Sequence, residues 1–159
     1  MKSIKRKGFT LVELLIVIVV IGILSAMMML SSTEAVSSAK ASNIVTNLRN
    51  LKTAALALYV DSLDHFSDST AAAPSIDDVV KYLNNGSELP ERLKYKVHKN
   101  SAGDWYIMYE IQGSTSEKTS IKQKLAGRAS SLGLKGATGL TADPTTTYKN
   151  EDVVSMQIR

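Results

Sequence analysis

The residue that most needs a chemical explanation is Glu13. It is the only charged residue among the 22 consecutive positions from Phe9 to Leu30. An ionisable group inside an apolar run is costly in a membrane, and it is by default a functional residue whose partner has to be named. Gly8 lies directly before the run, and a residue without a Cβ lets another molecule approach the backbone closely. This spacing indicates chemistry at the boundary between the first residues and the apolar run.

The element that positions these residues is the apolar run itself. A helix rises about 1.5 Å per residue, so residues 9–30 would cross a hydrocarbon core of about 30 Å. The residues before Gly8 include four basic side chains and no acidic one, namely Lys2, Lys5, Arg6 and Lys7. Basic flanks remain cytoplasmic. We therefore expect a single membrane pass, with the chain after Leu30 carried across.

The segment Lys7-Gly8-Phe9-Thr10-Leu11-Val12-Glu13 resembles the class III signal peptide of the type IV pilin family. In that family a basic residue and a glycine precede Phe-Thr-Leu-Val/Ile-Glu and an apolar run. The motif covers roughly residues 5 to 24, and the layout of a long helix and a small head extends the resemblance loosely over the chain. The resemblance implies that a prepilin peptidase cleaves between Gly8 and Phe9, that Phe9 becomes N-methylated, and that the apolar segment is retained.

Cleavage would give Glu13 a partner. The new amine of Phe9 lies four residues before Glu13, so the two charges could pair along one helix or between two chains. The resemblance implies the second arrangement, in which Glu13 pairs with a neighbouring subunit during filament assembly and sets its axial register.

Two simpler interpretations remain for the N-terminal region. A secretory signal peptide also has a basic start and an apolar core, and Ser25 and Ala26 are small enough for its cleavage site. A plain single-span anchor is the other. Neither explains the residues from Gly8 to Glu13 as a unit, and a charged Glu13 fits the core of a secretory signal poorly.

Composition narrows the classes of function. The formal net charge is +4, but the leader holds four of the 19 basic residues, which leaves 15 basic and 15 acidic residues after cleavage. A formally neutral product argues against a nucleic-acid partner. The chain has no cysteine and lacks nucleophile, phosphate-loop and zinc motifs, so we expect no disulfide, no cofactor and no enzyme activity. Asp64 beside His65 is only a weak metal signal.

The apolar pattern continues past the proposed membrane span. Apolar residues recur at spacings of three and four, which indicates an amphipathic helix; they are Ile44, Leu48, Leu51, Ala55 and Leu58. No proline occurs between Phe9 and Ala73, so the two halves should form one helix of over 50 residues. Gly22 within it is expected either to weaken the helix locally or to allow a close helix contact.

The remaining residues predict a small head. A helix is expected over Ile76–Leu83, then a hairpin whose second strand, Trp105–Gln112, directs alternate side chains into the core. A second helix is expected over Glu117–Ser130, an irregular loop over Leu132–Thr147, and a last strand over Val153–Ile158. The inward side chains of the hairpin are expected to be Trp105, Ile107, Tyr109 and Ile111.

The predicted fold class is therefore α+β, with a long N-terminal helix packed against a small antiparallel sheet, as in the pilin fold. The predicted divisions are a cleaved leader, a membrane-spanning and filament-core helix, an amphipathic helix half and a globular head, at residues 1–8, 9–30, 31–66 and 67–159. The head is expected to have its own apolar core.

The resemblance implies a structural subunit of a type IV pilus-like filament. Its partners would be other copies of itself in a helical homopolymer, the prepilin peptidase and the inner-membrane assembly machinery. It would reside in the bacterial inner membrane before assembly and in an extracellular filament afterwards, with adhesion, motility or DNA uptake as roles. One alternative is a type II secretion pseudopilin, which usually has a calcium loop of carboxylates, whereas here Asp143, Glu151 and Asp152 are scattered. The other is a monomeric membrane-anchored surface binding protein.

Overall fold

The computed structural model describes residues 8–62, 73–83, 89, 91–144 and 146–159, without the side chains of residues 30 and 31. Its helices and strands follow in chain order: α1 (Leu11–Asp61), α2 (Ile76–Val80), β1 (Tyr95–Lys99), β2 (Trp105–Glu110), α3 (Thr115–Leu132), β3 (Leu134–Ala137), β4 (Thr146–Thr147) and β5 (Val153–Gln157). A long helix with a five-stranded antiparallel sheet confirms the predicted α+β class. Asp64 and His65 lie outside the described residues.

Helix α1 is continuous over 51 residues, which confirms the expectation of one helix of more than 50 residues. It runs through Gly22 without a break. By internal contacts the chain divides into two compact units, Met1–Val36 and Ser37–Arg159. In the first unit, every large apolar side chain from Phe9 to Met29 is at least 47% exposed. The apolar surface of this unit is thus uncovered in the single chain.

The second unit is organised around the sheet. The strand order is β1-β2-β5-β3-β4, so the C-terminal strand β5 lies between β2 and β3 and pairs with both in antiparallel register. Pairing on both sides fixes the end of the chain in the middle of the sheet and confirms the predicted last strand.

The main core lies between one face of this sheet and the second half of α1. Alternate residues of β2 point to one face because side chains of a strand alternate, and these are the predicted inward residues of the hairpin. They pack with the predicted stripe of α1 and with the inward side chains of α3. The buried members of this core include Ile44, Leu48, Leu51, Ala55, Leu58, Trp105, Ile107, Tyr109, Ile111, Ile121, Leu125 and Ala129.

Helices α2 and α3 differ in how well the sequence predicted them. Helix α2 begins as expected, because the Ser75 side chain accepts a hydrogen bond from the amide of Asp78 at 3.3 Å. It ends at Val80, before the predicted Leu83, since the following amides bond three residues back in turns. Helix α3 contains the predicted segment and ends at Leu132. The next residue, Gly133, has a left-handed φ of 65°, which suits a residue without a Cβ.

The prediction of one irregular loop over Leu132–Thr147 is wrong in part. Strand β3 begins directly after Gly133 and pairs with β5, and the two-residue strand β4 pairs with β3. Gly136 was one of the glycines from which the loop was predicted, but it lies inside β3. A Cβ at this position would overlap the carboxylate of Glu151, so that side chain would have to move to admit one.

Residues 138–144 form a loop over the outer face of the sheet. Leu140 and Ala142 pack against a second apolar cluster, which consists of Tyr106, Met108, Ala137 and Val153. Tyr106 and Met108 are 1% and 0% exposed, although they lie opposite the inward-facing residues of β2. Both faces of the sheet centre are therefore buried, by α1 on one side and by this loop on the other.

Asp143 fastens the loop to the turn between β1 and β2. Its carboxylate lies 2.7 Å from the Nε2 of His98 and accepts hydrogen bonds from the amide and hydroxyl of Ser101 at 3.2 and 2.9 Å. The bond with His98, followed by those with Ser101, holds the pKa of Asp143 below its usual range. The chain has no cysteine, so this loop cannot be held by a disulfide. The contacts of Asp143 with His98 and Ser101 hold it instead.

Candidate processing and assembly site

Gly8 and Phe9 lie before the first turn of α1, in backbone that is neither helix nor strand. Phe9 is 75% exposed, and a Cβ built on Gly8 would meet no atom within 4 Å. A peptidase has to draw an extended segment into its site, and backbone hydrogen bonds of a helix would have to be broken first. The peptide bond between Gly8 and Phe9 lies outside the helix, so no helical hydrogen bonds of these two residues have to be broken.

Glu13 caps the start of α1 in its own chain. The Oε2 atom of Glu13 accepts hydrogen bonds from the backbone amide and the hydroxyl of Thr10, at 2.8 and 2.7 Å. In return, the amide of Glu13 donates to the Thr10 hydroxyl at 3.3 Å. This reciprocal arrangement is a capping box, which satisfies backbone amides that a helix start leaves without partners. A carboxylate at this end also complements the helix dipole.

The capping role was missed in the sequence reading, although a signal for it was present. Thr10-Leu11-Val12-Glu13 fits the pattern of a Ser or Thr followed three positions later by Glu, just before an apolar run. Glu13 therefore has a structural reason to be where it is, independent of assembly. Any assembly function has to be separated from capping by experiment.

The cap leaves part of Glu13 available. Oε2 accepts both hydrogen bonds from Thr10. No described residue forms a hydrogen bond or ion pair with Oε1. Phe9 is the residue directly before Thr10, and in the uncleaved chain its nitrogen is an amide without charge. The structure thus brings Glu13 next to the backbone of the residue that follows Phe9, and within the described part of the chain its second oxygen has no partner.

The surface around this site is apolar. Among the described residues, α1 is the one helix long and apolar enough to cross a membrane, by length and composition. An N-terminal helix of this kind suggests membrane anchoring. Its exposed side chains would otherwise face water, at a cost of about 1.5–3 kcal/mol for each large apolar residue relative to burial.

Comparison with known families gives one match. Residues 4–29 match the prokaryotic N-terminal methylation motif. The matched segment contains Gly8, Phe9 and Glu13 and extends into the exposed apolar part of α1. The chain therefore carries the class III signal peptide of type IV pilins, which supports a type IV pilin or pseudopilin precursor. Comparisons with curated proteins and with solved structures returned no match.

The three carboxylates near the C-terminus are committed to different partners. Asp143 bonds His98 and Ser101, as described above. Glu151 accepts hydrogen bonds from the amides of the two residues before it, at 2.8 and 3.0 Å, and Asp152 forms an ion pair with Lys122 at 2.8 Å. Within the part of the chain that the structure describes, no three His, Cys, Asp or Glu side chains are grouped so that they could hold a metal ion.

Proposed function

We propose that this chain is the subunit of a type IV pilus-like filament. The observation that carries the proposal is the continuity of the methylation motif at residues 4–29 with the first part of α1, whose large apolar side chains from Leu11 to Met29 are all exposed. A peptidase at the membrane would cleave between Gly8 and Phe9, and Phe9 would become the methylated N-terminus. The apolar half of α1 would then be covered by lipid before assembly and by other copies of α1 afterwards.

Glu13 is proposed to act in assembly as well as in capping. The Oε1 atom of Glu13 has no partner among the described residues. It would accept a hydrogen bond from the amine of Phe9 of a neighbouring subunit, and this pair would neutralise both charges away from water. Because opposite charges buried together favour one relative position, this contact would set the axial register between subunits. Before assembly the chain would be a single-pass protein of the bacterial inner membrane with residues after the apolar half outside.

A pilus is favoured over a type II secretion pseudopilin. A calcium loop needs several oxygen ligands converging on one point, and Asp143, Glu151 and Asp152 bond separate protein groups instead. A role in adhesion, motility or DNA uptake would belong to the assembled filament and its assembly machinery.

The first test is the intact mass of the protein from sheared surface filaments. We expect a chain that begins at Phe9 and carries one extra methyl group. In the Gly8→Arg variant we expect the uncleaved chain in the membrane fraction and no filaments, because a long side chain obstructs the close approach of the peptidase. A protein with its leader intact in wild-type filaments would refute the processing site.

The second test separates the two roles of Glu13. Glu13→Gln keeps the shape of the capping box, in which glutamine also serves, but removes the charge. Thr10→Ala removes the cap and leaves the charge. We expect processed protein without filaments for Glu13→Gln, and filaments for Thr10→Ala. Normal filaments in Glu13→Gln would contradict the pairing with Phe9. Wild-type protein that never forms filaments would favour a monomeric surface binding protein.

A further inference from the structure

The start of helix α1 is held by side chains as well as by backbone hydrogen bonds. Thr10 directly precedes the first helical residue, Leu11, and its carbonyl accepts a helical hydrogen bond from the amide of Leu14 at 3.3 Å. Its hydroxyl accepts a hydrogen bond from the amide of Glu13 at 3.3 Å. Thr10 is therefore the N-cap of α1, and one residue, Phe9, separates it from the carbonyl at which processing is proposed.

The cap takes the place of hydrogen bonds that a longer helix would use. In an α-helix each amide donates to the carbonyl four residues earlier. A helix extended toward the N-terminus would bond the amide of Glu13 to the carbonyl of Phe9. It would likewise bond the amide of Val12 to the carbonyl of Gly8. In this structure the amide of Glu13 bonds the Thr10 hydroxyl instead, and Gly8 and Phe9 are not helical.

The apolar surroundings determine how α1 would change without its cap. Inside a membrane there is no water to bond a backbone amide, so each amide needs a partner within the protein. Unwinding the first turn would leave additional amides of the apolar run without partners. Adding a turn before Leu11 would instead supply carbonyls to the amides already there. Loss of the cap is therefore expected to lengthen the helix toward Gly8.

A longer helix would hinder cleavage. Hydrolysis adds water at the carbonyl carbon of Gly8 and yields a carboxylate on Gly8 and an amine on Phe9. In the longer helix the oxygen of this carbonyl would be bonded to the amide of Val12. That bond would have to break before the segment could enter a peptidase site as extended backbone.

We infer that Thr10 is a positioning residue for the cleavage between Gly8 and Phe9. Its hydroxyl ends α1 at Leu11 and so keeps the carbonyl of Gly8 outside the helix. Thr10 acts through the backbone conformation and does not touch the reacting atoms. The inference rests on the proposed processing at Gly8 and is independent of the pairing of Glu13 between subunits.

The test compares cleavage of full-length chains by the peptidase in detergent micelles, followed by intact mass. Thr10→Val keeps the shape of the side chain and removes the capping hydroxyl, whereas Thr10→Ser retains one. We expect kcat/KM for Thr10→Val to be about fivefold below wild type, which corresponds to about 1 kcal/mol, the usual effect of losing a cap. Thr10→Ser should be cleaved like wild type. Slower cleavage still reaches completion, which is compatible with the filaments expected for Thr10→Ala.

Two further readouts separate positioning from a general loss of structure. The loss should appear in KM with kcat nearly unchanged, because the cap alters the fraction of free chains that are ready to bind, whereas the bound segment is extended in both proteins. In the uncleaved chain, the carbonyl carbon chemical shift of Gly8 should move toward helical values in Thr10→Val and stay in place in Thr10→Ser.

Thr46→Val is the matched control. The Thr46 hydroxyl also lies on α1, where it donates to the carbonyl of Ser42 at 3.0 Å, but it is far from the start of the helix. This variant should leave both the kinetics and the Gly8 chemical shift unchanged.

Equal kcat/KM for Thr10→Val and wild type would overturn the inference. It would also be overturned if Thr10→Ser were cleaved as slowly as Thr10→Val, or if the Gly8 carbonyl gained no helical character in Thr10→Val. Failure of the proposed function gives a different result, because the wild-type chain would then not be cleaved between Gly8 and Phe9 at all, and both proposals would fall.

Discussion

Replacing Leu48 with alanine tests whether the second half of α1 belongs to the core under the sheet. Leu48 is 0% exposed, so the substitution removes three buried carbon atoms, each contributing about 0.8 kcal/mol. The cavity left behind adds to this loss, and buried leucine-to-alanine changes cost about 2–5 kcal/mol. We expect the free energy of unfolding to fall by about 3 kcal/mol.

The control is the same substitution at an exposed site. Leu93 is 91% exposed, and exposed substitutions usually change stability by less than about 0.5 kcal/mol. The chain has one tryptophan, Trp105, which is buried in the same core as Leu48. Its fluorescence therefore reports unfolding of that core directly.

The assay is urea unfolding of the full chain in detergent. With a urea dependence of about 1–3 kcal/mol per molar, Leu48→Ala should lower the midpoint by about 1–3 M, and Leu93→Ala should leave it nearly unchanged. Equal midpoints for the two variants would refute the packing of α1 against the sheet at this position.

Two further predictions concern contacts of the loop and the C-terminal strands. Asp143→Asn should lower the melting temperature at pH 7. The difference in melting temperature from wild type should shrink as the pH falls through the lowered pKa of Asp143, because the carboxylate stabilises the fold only while it is charged. A difference that grows in acid would contradict this. Gly136→Ala should destabilise the chain by displacing Glu151 from its hydrogen bonds with backbone amides. The same substitution should be nearly neutral in a Glu151→Ala background. Equal losses of stability in both backgrounds would exclude that contact as the cause.

The long helix and the main core were predictable because their signals are local. The spacing of Leu48 and its neighbours along α1 places them on one face whatever they pack against. The alternation from Trp105 to Ile111 does the same for a strand. Both sets are buried as predicted, since each pattern depends only on the geometry of its own element.

The outer face of the sheet could not be predicted in this way. Tyr106 and Met108 alternate with the inward residues, so a local reading assigns them to solvent. They are buried because the loop of residues 138–144 crosses over them, and that loop is held by contacts between Asp143 and the distant His98 and Ser101.

The processing site shows most clearly which features depend on the sequence alone and which depend on tertiary structure. The sequence alone determined Gly8, Phe9 and Glu13 as candidates and the apolar helix behind them, because motif, charge and hydrophobicity are properties of consecutive residues. Tertiary structure decided which glycine lies inside a strand and which side of the sheet the loop covers. Those outcomes depend on contacts between residues tens of positions apart, and the periodicity of a single element carries no information about its distant partners.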